Sequence, residues 1–153
     1  MSEFPNYRYD TGLGNVGSYQ VAGKPFASGG INALENESDR AVRISFPSVT
    51  RWIYVINHDN TRTCQVGFSE KGLEDDNFFK IGPAYTGSAA AANAPEKYGV
   101  SQNSIRLELK VNEIWLTGST DIDIVAGLTG IDGARINNIS VSGTSWSGSI
   151  GVG

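Results

Sequence analysis

The stretch from Val42 to Phe68 constrains the fold of this chain more than any other. Val42, Ile44 and Phe46 alternate with Arg43 and Ser45, Trp52 to Ile56 is a dense aromatic and β-branched run, and Cys64, Val66 and Phe68 alternate again. A period of two puts apolar side chains on one face of an extended chain, so the stretch predicts three strands. Pro47-Ser48 and Asn57-His58-Asp59-Asn60 separate them. Proline presets φ, and Asn and Asp side chains bond their own backbone and tolerate left-handed geometry. Three strands joined by short turns predict an antiparallel meander, the spine of an all-β domain.

The flanking sequence continues in the same way. Tyr19 to Leu34 predicts two short strands separated by a turn at Ser28-Gly29-Gly30, and Glu35 to Arg40 a polar loop. Ser69 to Asn77 predicts an acidic turn, and Phe78 to Ile81 a brief strand closed by Gly82-Pro83. Residues 84 to 103 make the longest irregular segment, in which Gly87 and Pro95 confine Ala89 to Ala92 to one helical turn. Ile105, Leu107 and Leu109 alternate with Arg106, Glu108 and Lys110. Asn112-Glu113 turns the chain into Ile114 to Thr117, and Ile122, Ile124, Ala126 and Leu128 share one face of a last long strand. About eight to ten short strands with no amphipathic helix predict a two-sheet antiparallel β-sandwich. A single jelly roll is the expected topology, because eight strands in two Greek keys suit this count. An immunoglobulin-like sandwich is the rival, and the Cys-Trp-Cys framework that marks it is absent.

At 153 residues the chain predicts one domain, with an N-terminal arm at 1–19, the β-sandwich at 20–141 and a Gly/Ser-rich tail at 142–153. Charged residues make up 18%, below the roughly 25% usual for soluble domains, while there are 19 glycines. That balance suits many tight turns, or surfaces hidden against partners. The net charge of -4 and the lack of any Lys/Arg cluster predict no nucleic-acid partner. No segment has the roughly 18 apolar residues of a membrane span, and the start M-S-E-F-P-N-Y-R-Y-D predicts no secretory signal. Phe4, Tyr7 and Tyr9 on the arm, and Trp146, Ile150 and Val152 on the tail, are isolated apolar anchors in Gly-rich chain. They are the candidate assembly contacts, predicted to dock on neighbouring copies.

Reactive chemistry is sparse. The one cysteine, Cys64, lies on a predicted inward face, and the one histidine, His58, lies in a turn. A thiol nucleophile, a zinc site or a hydrolytic triad each needs more partners than these two supply. Asp121 and Asp123 share a strand face and form a possible carboxylate pair, but alternation predicts that this face is solvated. Glu70, Glu74, Asp75 and Asp76 are oxygen donors suited to calcium, yet their spacing matches no EF-hand loop. Gly12 to Gly17 spells G-x-G-x-x-G without the strand and helix that a dinucleotide site requires. The expectation is a protein that is not an enzyme, with no catalytic residue, no cofactor, no metal and no small-molecule substrate. Trp52, Tyr54 and Trp115, with Tyr85, are candidates for a sugar-stacking platform. The competing expectation is that Trp52 and Trp115 pack against the sheets.

With these residues in hand, the chain resembles the small single jelly-roll capsid proteins of large double-stranded DNA viruses, above all the penton proteins that fill five-fold vertices. The resemblance rests on F-P-S-V-T-R-W-I-Y-V-I-N followed by C-Q-V-G-F-S, on I-D-I-V-A-G-L-T near the end, and on the closing S-W-S-G-S-I-G-V-G. It implies a structural virion protein, a vertex or minor capsid subunit made in the host cytoplasm. Its partners would be copies of itself, five to a ring, and other capsid proteins. A phage decoration or head-fibre protein and a carbohydrate-binding β-sandwich module are the alternatives.

Overall fold

The alternating runs do form strands. The computed structural model describes residues 16–17, 23–34, 41–84 and 103–135. These carry β1 (Lys24–Ile31), β2 (Val42–Ser45), β3 (Ser48–Asn57), β4 (Cys64–Gly67), a short helix α1 (Glu70–Glu74), β5 (Phe79–Ile81), β6 (Ser104–Leu107), β7 (Glu113–Thr117) and β8 (Ile122–Asp132). A 3-10 turn at Gly133–Arg135 follows. The arm anchors Phe4, Tyr7 and Tyr9, the tail anchors Trp146, Ile150 and Val152, and the loop containing Tyr85 lie outside the described residues.

Two four-stranded antiparallel sheets pack as a sandwich, one in the order β1-β8-β3-β6 and the other β2-β7-β4-β5. The meander expected over Val42 to Phe68 is therefore wrong in its pairing. β2 and β4 both pair with β7, while β3 lies in the opposite sheet between β8 and β6. The chain crosses between sheets at Phe46-Pro47 and again over residues 58–63. At the first crossing the Phe46 N–H donates to the Asn112 carbonyl at 2.7 Å, and proline, which has no N–H, leaves none unpaired at the corner. Both sheets bury one face in the same interior, so a strand shows the same period-two pattern whichever sheet it joins.

That interior holds Ile53, Val55, Ile122, Ile124 and Ala126 from the first sheet against Cys64, Val66, Ile81, Ile114 and Leu116 from the second, all buried. Phe26 and Phe46 meet edge to face, ring centroids 5.0 Å apart. Each fully buried Ile, Leu or Val side chain contributes about 1.5–3 kcal/mol relative to exposure, so this double layer dominates the stability of the sandwich.

Two further expectations are corrected. Residues 24–31 form one strand rather than two, and the Ser28-Gly29-Gly30 turn is a register irregularity in the β1–β8 pairing. Gly30 takes φ +64° there, and its N–H reaches the Asp123 carboxylate at 2.9 Å. The acidic turn after β4 is α1: the Ser69 side chain accepts the Gly72 N–H at 2.9 Å, and Glu70 favours the positive end of the helix. Leu73 from this helix sits on the outer side of the second sheet, against Gly67, where a Cβ would come within 2.9 Å of the leucine. Propensity arguments miss a five-residue helix because one cap and one packed leucine sustain it.

Candidate functional site

The outward residues of the first sheet gather the most distinctive side chains. β3 turns Ile53, Val55 and Asn57 inward and leaves Trp52, Tyr54 and Ile56 on the outer face. Tyr54 pairs with Arg106 of β6 on one side and with Val125 of β8 on the other. Trp52, Tyr54, Arg106 and Val125 line an open depression of about 380 Å³. The Arg106 guanidinium lies 5.3 Å from the Trp52 ring centroid and donates to Glu108 Oε1 at 2.7 Å. Tyr54 Oη and Ser104 Oγ are 3.1 Å apart.

Trp115 does not join this group. It lies on the outer side of the other sheet and is 5% exposed. Its indole N–H points to Glu113 Oε1 at 3.4 Å, and Arg43, which ion-pairs with Glu113, stands 5.9 Å from the ring. The sandwich thus separates the tryptophans that a three-aromatic platform would bring together. Trp115, buried against its sheet, packs as the competing expectation had it, whereas Trp52 is only half-buried on the outer side.

The remaining sequence candidates are engaged locally. Cys64 is buried between the sheets, where burial pushes its thiol up to about 12. His58 is on the surface, its Nε2 3.0 Å from Asp123 Oδ2. Asp123 also holds the Gly30 N–H, so the proposed carboxylate pair has one member tied to the β1 irregularity and the other, Asp121, exposed. Of the acidic group on α1 and just after it, Asp75, which caps the helix C-terminus, pairs with Lys71 at 3.1 Å. Among the described residues no three His, Cys, Asp or Glu side chains gather as metal ligands.

Sequence reasoning missed a polar knot at one end of the sandwich. The buried Asn57 side chain donates to the carbonyls of Arg62 at 2.8 Å and Gly82 at 2.9 Å, and accepts from the Ser119 hydroxyl at 2.7 Å. Asp59, 6% exposed, accepts from the Thr61 N–H and hydroxyl, the Arg62 N–H, and the Thr120 N–H and hydroxyl. The Thr120 hydroxyl above all, with the backbone N–H groups of Thr61, Thr120 and Arg62, holds the Asp59 carboxyl well below the usual carboxylate range and overcomes the opposing effect of burial. The available signal was N-H-D-N-T-R at 57–62 facing S-T-D at 119–121, two runs rich in groups that bond backbone. This cluster is internally satisfied and links β3, the 58–63 crossing, the end of β5 and the β7–β8 turn. Its arrangement is that of a clamp between sheets.

No protein-family model, curated protein or solved structure gives a significant match to the chain. Function has to be argued from the fold and its surfaces.

Proposed function

We propose that this chain is a structural capsid subunit, a single jelly roll that assembles through contacts with copies of itself. One observation carries the reading. The strands pair as a nest, β1 with β8, β2 with β7, β3 with β6 and β4 with β5, divided between two sheets. Wrapping a long antiparallel ribbon into a sandwich would produce such a nest, and this supports the jelly-roll reading, a topology that viral capsid and lectin domains use. In an immunoglobulin-like sandwich the first two strands share a sheet, whereas here β1 and β2 lie in opposite sheets.

Under this reading the described residues carry no chemical step. Five copies would close a ring through heterologous contacts, with Phe4, Tyr7 and Tyr9 of one arm and Trp146, Ile150 and Val152 of the other as the expected contacts. Native mass spectrometry of the purified full chain, followed by imaging of the same sample, tests this directly. Discrete rings, with pentamers as the expected species, support the reading. A chain that remains monomeric at every concentration and forms no ring alone or with shell proteins counts against it. Removing residues 142–153 should abolish the rings while leaving the unfolding transition in place.

A further inference from the structure

We propose that the outer face of the first sheet is a binding site for a neutral glycan, built on Trp52, Tyr54 and Arg106. A glycan site here would not require ring assembly and goes beyond it. Val125, Tyr54 and Arg106 stand side by side across three strands, and Trp52 lies two residues along β3 on the same face. Two neighbouring outward positions are small: Gly127 pairs with Trp52, and the exposed Ala27 pairs with Val125. The aromatic surfaces therefore border a low, open floor.

The ligand class follows from the chemistry of that floor. A pyranose has one apolar C–H face and a rim of hydroxyls, so it needs aromatic or aliphatic surface beneath it and hydrogen-bonding groups beside it. Tyr54, Trp52 and Val125 supply the surface. Tyr54 Oη and Ser104 Oγ can each donate or accept, and Arg106 has five N–H donors, with Glu108 engaging its terminal Nη2. Cation–π attraction from Arg106 steadies the indole.

Charge decides between neutral and acidic sugars. Arg106 already carries Glu108 as its counter-ion, and further along the face His58 is bonded to Asp123. An anionic ligand would meet a guanidinium whose charge Glu108 already balances and the repulsion of that carboxylate, whereas neutral sugar hydroxyls can accept from the remaining N–H groups without either cost. The depression is also open to solvent, which suits an extended oligosaccharide stacked from one side better than an enclosed small molecule.

The test uses the isotope-labelled full chain titrated with cellohexaose, maltohexaose, mannohexaose and chitohexaose, read by tryptophan fluorescence and amide chemical shifts. At least one sugar should give a saturable response, with shifts centred on β3, β6 and β8. Trp52→Ala and Arg106→Ala should each weaken binding by about tenfold or more, while Trp52→Phe stays within about threefold. Circular dichroism checks the fold of each variant, and Arg106→Ala with Trp52→Phe decides the matter if Trp52→Ala does not fold. Failure of all four sugars to bind overturns the proposal, as does binding that survives both alanine variants. A sialylated oligosaccharide that binds more tightly than its neutral parent overturns the charge argument. Self-association of the wild type that Trp52→Ala removes would assign the face to a second copy instead.

Discussion

The Asp59 carboxylate accepts both the hydroxyl and the backbone N–H of Thr120, at 2.7 and 3.2 Å, across a sequence separation of 61 residues. This contact joins the loop after β3 to the turn before β8, and it is nearly sealed from water. Replacing Asp59 with Ala strands the donors of Thr61, Arg62 and Thr120, which should cost about 2–4 kcal/mol of stability, read as a lower urea midpoint. Full retention of the wild-type midpoint would refute the clamp.

The same carboxylate sets a pH dependence. Its folded-state pKa lies below its unfolded value, so the unfolded chain binds more protons as pH falls and stability rises with pH in the acid range. The contribution is fully present well above the unfolded pKa of about 3.9 and declines as pH falls through and below it. Urea titrations between about pH 6 and pH 2 should show a steeper loss for the wild type than for Asp59→Asn. Parallel curves would place the acid sensitivity elsewhere.

Two glycines with positive φ should respond differently to alanine. At Gly118, φ is +92° and an added Cβ would stand 2.7 Å from the Thr63 carbonyl oxygen, so strain and collision combine. Gly118→Ala should cost about 2–4 kcal/mol. At Gly30, φ is +64° with nothing within 4 Å of an added Cβ, and the expected cost is about 1 kcal/mol from the backbone alone. Equal midpoints for the two variants would contradict the collision.

Ser69 is 3% exposed and caps α1 through the Gly72 N–H. Ser69→Ala should lower stability by about 1 kcal/mol, and hydrogen exchange at Gly72 should accelerate. Unchanged exchange there would show that the cap does not hold the helix.

Cys64 should be inert in the folded protein. A thiol raised from 9.0 to about 12 has on the order of a thousandfold less thiolate near pH 8, and its sulfur is also sealed in the core. Labelling with a disulfide reagent should be fast in urea and slower by at least that factor in buffer. Rapid labelling of native protein would mean that the two sheets part readily.

Several features could be read from residue order alone. Period-two alternation in Val42–Phe46, Cys64–Phe68 and Ile122–Leu128 marked strands and their inward faces, because side-chain direction in an extended chain is set by adjacent residues, while the unbroken apolar run Trp52–Ile56 marked a strand without saying which of its faces is buried. The sheet that each strand joins, and its hydrogen-bonded neighbour, were decided only in three dimensions. Backbone pairing has no side-chain signature, and either sheet satisfies the same apolar face, so the expected meander became three strands in alternating sheets. The same limit governs the candidate site. Residue order marks Trp52, Tyr54 and Trp115 as large aromatics, but tertiary structure places the first two on one outer face and seals the third on the other. Asn57, Asp59, Ser119 and Thr120 look like ordinary turn residues in sequence; only folding brings the two runs together, where exclusion of water turns local capping groups into the link between the sheets.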